Sequence, residues 1–254
     1  MFCLFQLTGK LKNTAILLLA ALLLTPLAGG VFAPEWNLDG RPAAKGRIDR
    51  IIEHFRDGDA VNVFDAAGRK ILRTYPDSTS RQQIEMKMFY NSDGKLEKIE
   101  CYAGGKLIYV EKGSYSEGLL RTLVRYDADG KELFWSTMMN YDERLLKLKS
   151  YGVQTKDGVV DYFYDLNEKG EITFIRAFIR NKLSTAAKYI YDKSGLVSEV
   201  RTFDAQMKNA GILYNEWKFD EQGNWIEKKS FFRKNNRTKT VPAAVFRRSI
   251  KYRK

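Results

Sequence analysis

A five-residue motif recurs along this chain and restricts its fold more than any other feature. It consists of an aromatic residue, then Asp or Asn, two variable residues and Gly, and its clearest copies begin at Phe64, Tyr90, Tyr126, Tyr191 and Phe219. An Asp or Asn side chain can accept a hydrogen bond from the backbone two residues later, and Gly takes the positive φ that a tight turn requires. Each copy therefore predicts a chain reversal between two extended segments.

Two weaker copies fit the same pattern. A variant runs from Tyr164-Asp165 to Gly170 with two additional residues, and Tyr141-Asp142 lacks the glycine. Apolar residues alternate with polar ones on both sides of the turns, as at Met86 and Met88. This period of two predicts β-strands and places rings side by side across neighbouring strands.

The fold class predicted from these patterns is all-β, an antiparallel meander of repeated β-hairpins with about 12 to 14 strands. We expect a curled or open barrel-like sheet, because strongly twisted open sheets rarely exceed about ten strands. The repeat domain covers 47–254. Its first segment, 47–55, could form a short helix, but the turn-like Arg56-Asp57-Gly58 after it favours a strand.

The N-terminal segment 1–33, or 1–30 with the earlier cleavage point, has the features of a secretory signal peptide. Lys10 and Lys12 precede the apolar run 14–24, and small residues follow Pro26. The apolar run is shorter than the roughly 20 residues that span a bilayer, so we expect cleavage and no transmembrane span afterwards; a retained anchor is the alternative. A linker, 34–46, would follow. We expect a periplasmic or secreted protein.

The motif copies Tyr126-Asp127-Ala128-Asp129-Gly130 and Tyr191-Asp192-Lys193-Ser194-Gly195, each followed by an apolar strand, resemble the repeats of RHS/YD-repeat proteins. The segment Gly223-Asn224-Trp225-Ile226-Glu227-Lys228, with the late Arg248-Ser249-Ile250-Lys251-Tyr252, resembles the end of small exported bacterial proteins that carry such repeats. The resemblance covers about 47–254 and implies an architecture of β-hairpins. It does not imply a specific activity.

Few residues suggest catalysis. His54 is the single histidine, and Cys101 would be the single cysteine after export, so neither a zinc-ligand pattern nor a disulfide is expected. We expect Cys101 to be buried and predict neither an enzyme nor a cofactor. The alternatives are paired carboxylates, at Asp161 with Asp165 or Asp142 with Glu143, and calcium binding at Asp127-Ala128-Asp129.

Positive charge is the most unusual feature of the C-terminal segment. Removal of 1–33 would lower the formal charge by two, from +12 to +10. The segment 231–254 holds nine basic residues and no acidic one, which favours an anionic partner, although a charged edge strand protected from aggregation is the plainer explanation. The candidate contacts are Arg233, Lys234, Arg237, Lys239, Arg247, Arg248 and Lys251.

Aromatic side chains form a second candidate surface, unless they only cover the core. Its members are Trp135, Phe174, Phe178, Trp217 and Trp225. The first functional hypothesis is a non-enzymatic binding or scaffold protein of the cell envelope, whose partner is an anionic polymer, a lipid surface or a protein; nucleic acid is not expected because the chain is exported. The alternative is a carrier of an apolar ligand in a cavity lined by Met86, Met88, Phe174, Phe178 and Trp135. A hydrolase that uses turn carboxylates is the third.

Overall fold

The computed structural model describes residues 45–253 except 56, 78–79, 146, 156–157 and 235–238. Sixteen strands occur in this part of the chain. They are β1 (Ile48–Phe55), β2 (Gly58–Phe64), β3 (Lys70–Pro76), β4 (Gln83–Tyr90), β5 (Leu96–Ala103), β6 (Lys106–Ser116), β7 (Leu119–Asp127), β8 (Glu132–Asp142), β9 (Lys147–Thr155), β10 (Gly158–Leu166), β11 (Ile172–Ile179), β12 (Lys182–Tyr191), β13 (Val197–Phe203), β14 (Asn209–Phe219), β15 (Trp225–Lys234) and β16 (Val241–Tyr252).

The strands form one closed antiparallel barrel. Each strand pairs with the next in sequence, and β1 pairs with β16, where Ile51 lies opposite Ile250. The all-β meander and the barrel-like sheet are confirmed, as is a strand rather than a helix at the start of the domain. Closure is complete rather than open, and it removes both unpaired edges. The expected strand number was too low. The signal peptide and nearly all of the linker lie outside the described residues.

The two faces of the barrel wall differ sharply. On the inner face, Ile99 and Leu123 are fully buried, and a hydrophobic cluster extends from them across β4–β10. On the outer face, alternate residues of the same strands form ion pairs, such as Lys98 with Glu100 at 2.7 Å. Tyr151 and Tyr162 are cross-strand neighbours on the inner face and stack at 4.7 Å, which confirms the expected ring pairs.

Seven hairpin turns within the described residues share one geometry. The first side-chain oxygen accepts hydrogen bonds of 2.8–3.1 Å from the backbone N–H groups two and four residues later. The residue three positions on donates its N–H to the first carbonyl and has a positive φ. These turns begin at Asp65, Asn91, Asp127, Asn167, Asp192, Asp204 and Asp220.

Two of these turns correct the sequence prediction. Asn167, not Asp165, begins the turn that ends β10, so the variant with two additional residues was wrong and the turn has the ordinary length. Asp165 lies on β10 and pairs with Arg176. The turn at Asp204 was missed because Met207, with φ 59°, occupies the position that glycine takes elsewhere.

One end of the barrel carries an additional set of hydrogen bonds. There, a side chain near the end of an even-numbered strand donates to a backbone carbonyl at the start of the preceding strand, 19–23 residues earlier. The pairs are Tyr90 to Lys70, Tyr115 to Leu96, Tyr141 to Leu120, Tyr191 to Ile172, Trp217 to Val197 and Arg248 to Trp225. In each, the acceptor lies two residues after a turn glycine. We call this the clamped end.

Candidate functional site

The outer wall where the barrel closes carries a group of charged side chains. Strands β14, β15, β16 and β1 lie side by side there, so residues distant in sequence become neighbours. We call this surface the seam wall. It is formed by Arg50, Lys218, Glu227, Lys229, Arg247 and Lys251.

Glu227 is the carboxylate around which three of these cations gather. Its side chain lies 2.8 Å from Arg247 Nε, 3.4 Å from Lys218 Nζ and 3.7 Å from Lys229 Nζ. The hydrogen bond from Arg247, supported by the two lysines, holds the pKa of Glu227 below its usual range. Glu216 lies opposite Lys229 on the same face, so two carboxylates accompany these three cations and this part of the wall keeps a net positive charge.

Arg50 and Lys251 add two further positive charges to the seam wall. They lie directly opposite each other in the β1–β16 register, and both are exposed. Like charges directly opposite on neighbouring strands are destabilising. An anion bound between them would relieve that repulsion, which makes this pair a favourable contact point.

The predicted basic residues separate into three groups in the structure. Arg233, Lys234, Lys239, Arg247 and Lys251 are exposed or partly exposed, and Arg237 lies outside the described residues. Arg248 was wrongly assigned to the surface. It is 9% exposed, lies 3.9 Å over the Trp225 ring and donates Nε to the Trp225 carbonyl at 2.6 Å. Its strand alternates faces, so the residue after the outward Arg247 points inward.

The seam wall also includes residues that the sequence analysis missed. Arg50 is the clearest case, because it reaches the C-terminal strands only through barrel closure. Lys218, Glu227 and Lys229 precede the basic segment 231–254 and belong to β14 and β15. The alternation of inward and outward residues, applied to β14 and β15 as it was to β16, could have identified Lys218, Glu227 and Lys229.

The aromatic candidates do not form one surface. Trp225 is 2% exposed and meets Trp217 edge to face at 5.8 Å on the inner side, so its assignment to a surface was wrong. Phe174 and Phe178 lie on the outer face, beside Phe203 and Phe163 respectively. The side chain of Trp135, on β8, is outside the described part of the chain.

The same alternation overturns the predicted lining of a ligand cavity. Met88 is buried in the inner cluster and Met86 packs against it. Phe174 and Phe178, in contrast, point outward on β11. A single cavity cannot be lined by side chains from both faces of one wall.

Charged side chains also lie on the inner face, where the sequence analysis did not expect them. Glu111, 4% exposed, accepts hydrogen bonds from Arg125 Nε and Nη2 at 3.1 and 2.6 Å, and Arg125 lies 3.8 Å over the Tyr109 ring. Burial raises the pKa of the Glu111 carboxyl, although Arg125 opposes that rise. A second pair joins Arg73 to Glu53 at 3.6 Å. These pairs connect β1 with β3 and β6 with β7, and we treat them as part of the barrel interior.

The remaining candidates have local partners. His54 contacts Asp59 at 3.0 Å and Ser249 at 2.9 Å, and Cys101 is 4% exposed, as expected for a buried thiol; burial raises its pKa. Asp161 and Asp165 are four residues apart on one strand, about 13 Å, which is too far for a glycosidase pair.

The acidic turns likewise have structural partners. Asp142 Oδ1 accepts two backbone hydrogen bonds, and so does Asp127 Oδ1, the first residue of the calcium candidate. The residues that the structure describes contain no group of three or more His, Cys, Asp or Glu side chains placed to hold a metal ion. In the same part of the chain, no helix has the length and hydropathy that crossing a membrane requires.

Comparisons with known proteins support the fold and identify neither a family nor an activity. No protein-family model matches the sequence, and no curated protein matches it. The crystal structure of a porin-like protein from Bacteroides uniformis is similar over 80% of this chain and 96% of that chain, with a TM-score of 0.55 and 10% identity. A porin-like protein from Bacteroides vulgatus aligns over 82% of this chain and 99% of that chain, with a TM-score of 0.37 and 10% identity.

Proposed function

We propose that this chain is a non-enzymatic binding protein of the cell envelope, exported by its N-terminal segment, which presents the seam wall to an extended anionic partner. The observation that carries the proposal is the excess of cations there. Glu227 is shared by three cations, and Arg50 lies opposite Lys251. Such a surface attracts repeated negative charges and accelerates encounter with them.

Two further observations support an envelope role. The sequence begins with a signal-like segment, and the B. uniformis protein of similar fold is described as porin-like. The described acidic side chains mostly serve turns or ion pairs, which supports binding rather than catalysis as the use of this surface.

Dextran sulfate, a soluble anionic polymer, tests the proposal in a titration with the full chain. The double variant Arg50→Gln/Lys251→Gln should bind about tenfold more weakly, which is roughly 0.7 kcal/mol for each charge removed. Binding of the unaltered chain should also weaken steeply as salt is added, because these charges are exposed. Glu227→Gln should strengthen binding, since it removes the carboxylate that contacts three of the wall's cations.

The matched control is Lys112→Gln/Lys188→Gln. It removes the same two charges from exposed positions on β6 and β12, away from the seam wall. Equal weakening by both double variants would show that net charge alone matters and would end the proposal, as would binding that is indifferent to salt. Circular dichroism of each variant verifies that the strands remain formed.

A further inference from the structure

We infer that the anionic partner is the surface of a lipid bilayer, an inference that rests on the proposed function and names its partner. The inference starts from the outer face that borders the seam wall on the side of the β15–β16 hairpin. There, Val245 is 46% exposed on the outer face, opposite Lys229 and two residues before Arg247. A large apolar side chain thus stands exposed between two cations.

More apolar groups continue this surface toward the hairpin. Phe231 lies opposite Pro242 on one side and opposite Tyr214 on the other, so the three form a row across β14, β15 and β16. Pro242 is exposed, and the two rings are partly exposed. The guanidinium of Arg233 lies 5.1 Å from the centre of the Tyr214 ring.

Cations flank the apolar row. Lys234, at the end of β15, and Lys239, just before β16, are both exposed. Exposed apolar side chains surrounded by lysine and arginine match the headgroup region of an anionic bilayer, which accepts cations at its surface and apolar groups just beneath it. A polysaccharide in water would satisfy the charges but would leave Val245 and Pro242 as exposed as before.

The charged seam wall limits how deeply this surface can enter the bilayer. Glu227 and its three cations lie on the same face, and charged groups are costly in hydrocarbon. The wall therefore stops at the headgroups, with Val245 and the row of Tyr214, Phe231 and Pro242 reaching into the boundary with the acyl chains.

Flotation of phosphatidylcholine vesicles, with and without phosphatidylglycerol, tests the inference with the full chain. All variants carry the same N-terminal segment, so its own affinity for lipid cancels in the comparison. Phosphatidylglycerol should strengthen binding at least about tenfold. Val245→Ser should weaken binding to the anionic vesicles about threefold, and Val245→Trp should strengthen it.

Met138→Ser is the matched control, because Met138 is 47% exposed on the outer face of β8, outside the seam wall. It should bind like the unaltered chain. Equal loss in Val245→Ser and Met138→Ser, or no loss in either, would overturn the lipid inference. Salt-dependent binding to dextran sulfate without binding to anionic vesicles would overturn it too, yet would leave the proposed function intact. Failure to bind either probe would end both.

Discussion

The two ends of the barrel use the same hairpin turn in different surroundings. At the clamped end, the turns at Asp65, Asn91, Asp192 and Asp220 carry glycine at the position of positive φ, and long-range donors tie successive hairpins together. At the opposite end, the turn at Asp204 has the same hydrogen bonds but no glycine. The turn at Asp127, at the same end, has Gly130 in that position, whereas other turns there place the non-glycine residues Arg81, Arg180 and Asn181 at positive φ.

The difference shows that the hydrogen bonds within a turn and the long-range clamp hydrogen bonds contribute separately to stability. A side-chain acceptor closes a hairpin wherever it occurs, since it satisfies two backbone N–H groups of its own loop. A clamp does more, because it joins a strand to a carbonyl about 20 residues earlier. Each such bond contributes roughly 0.5–1.5 kcal/mol, so the clamped end should be the more stable of the two.

The largest effect is expected from removal of a turn acceptor that also belongs to the clamped end. Asp220 accepts two backbone hydrogen bonds, and its other oxygen accepts one from the Tyr252 hydroxyl. Asp204, at the opposite end, accepts only the equivalent two among the described contacts. Asp220→Ala should therefore lower the free energy of unfolding by about 2 kcal/mol and Asp204→Ala by about 1 kcal/mol, as measured in urea.

This pair of variants can break the comparison directly. Both replace the same residue type in turns with the same hydrogen bonds, and Asp220 alone of the two accepts the bond from Tyr252, so the difference between them reports on that bond. Equal losses would mean that the Tyr252 hydrogen bond adds no stability to the clamped end.

Alkaline pH provides a second test, because four clamp donors are tyrosines. Burial raises the pKa of Tyr90, Tyr141 and Tyr191 from 10 to about 12. An unfolded chain loses these protons first, so their contribution to stability is complete below pH 10 and is lost as the pH rises toward 12. The free energy of unfolding should fall over that range, and absorbance of the tyrosinate should show delayed ionisation in the folded protein.

Replacement of one clamp hydroxyl sharpens this result. Tyr191→Phe should cost about 1 kcal/mol at neutral pH and should show a smaller alkaline loss than the unaltered chain. Tyr126→Phe, at the opposite end, is the matched control. It should change neither the free energy of unfolding at neutral pH nor its alkaline decrease by much. An alkaline loss of the same size in Tyr191→Phe would show that the clamp hydroxyl does not cause it.

Sequence alone could predict the part of the fold that is encoded locally. Gly94, Gly130 and Gly195 each end a five-residue motif that locates a turn, and the alternation of apolar and polar residues on both sides of the turns then locates the strands. The clamps could not be predicted, since a tyrosine hydroxyl gives no sign of which carbonyl it will reach. Barrel closure was equally hidden, and with it the place of Arg50 beside Lys251 in the candidate site.

The turn at Asp204 could not be recognised from the sequence because it lacks the glycine of the motif. It provides the prediction with the smallest expected effect. Met207 adopts φ 59°, a conformation that costs a side chain with Cβ about 1 kcal/mol relative to glycine, and 45% of this residue is exposed. Met207→Gly should therefore raise the free energy of unfolding by about 0.5–1 kcal/mol, as measured in urea. The converse variant at the clamped end is Gly195→Ala. Its added Cβ would lie 3.8 Å from the Glu171 carboxylate, which is ordinary contact, so the positive φ alone should lower the free energy of unfolding by a similar amount. A loss in Met207→Gly would show that the methionine side chain contributes packing that outweighs its backbone strain, and the two ends would then differ in more than their clamps.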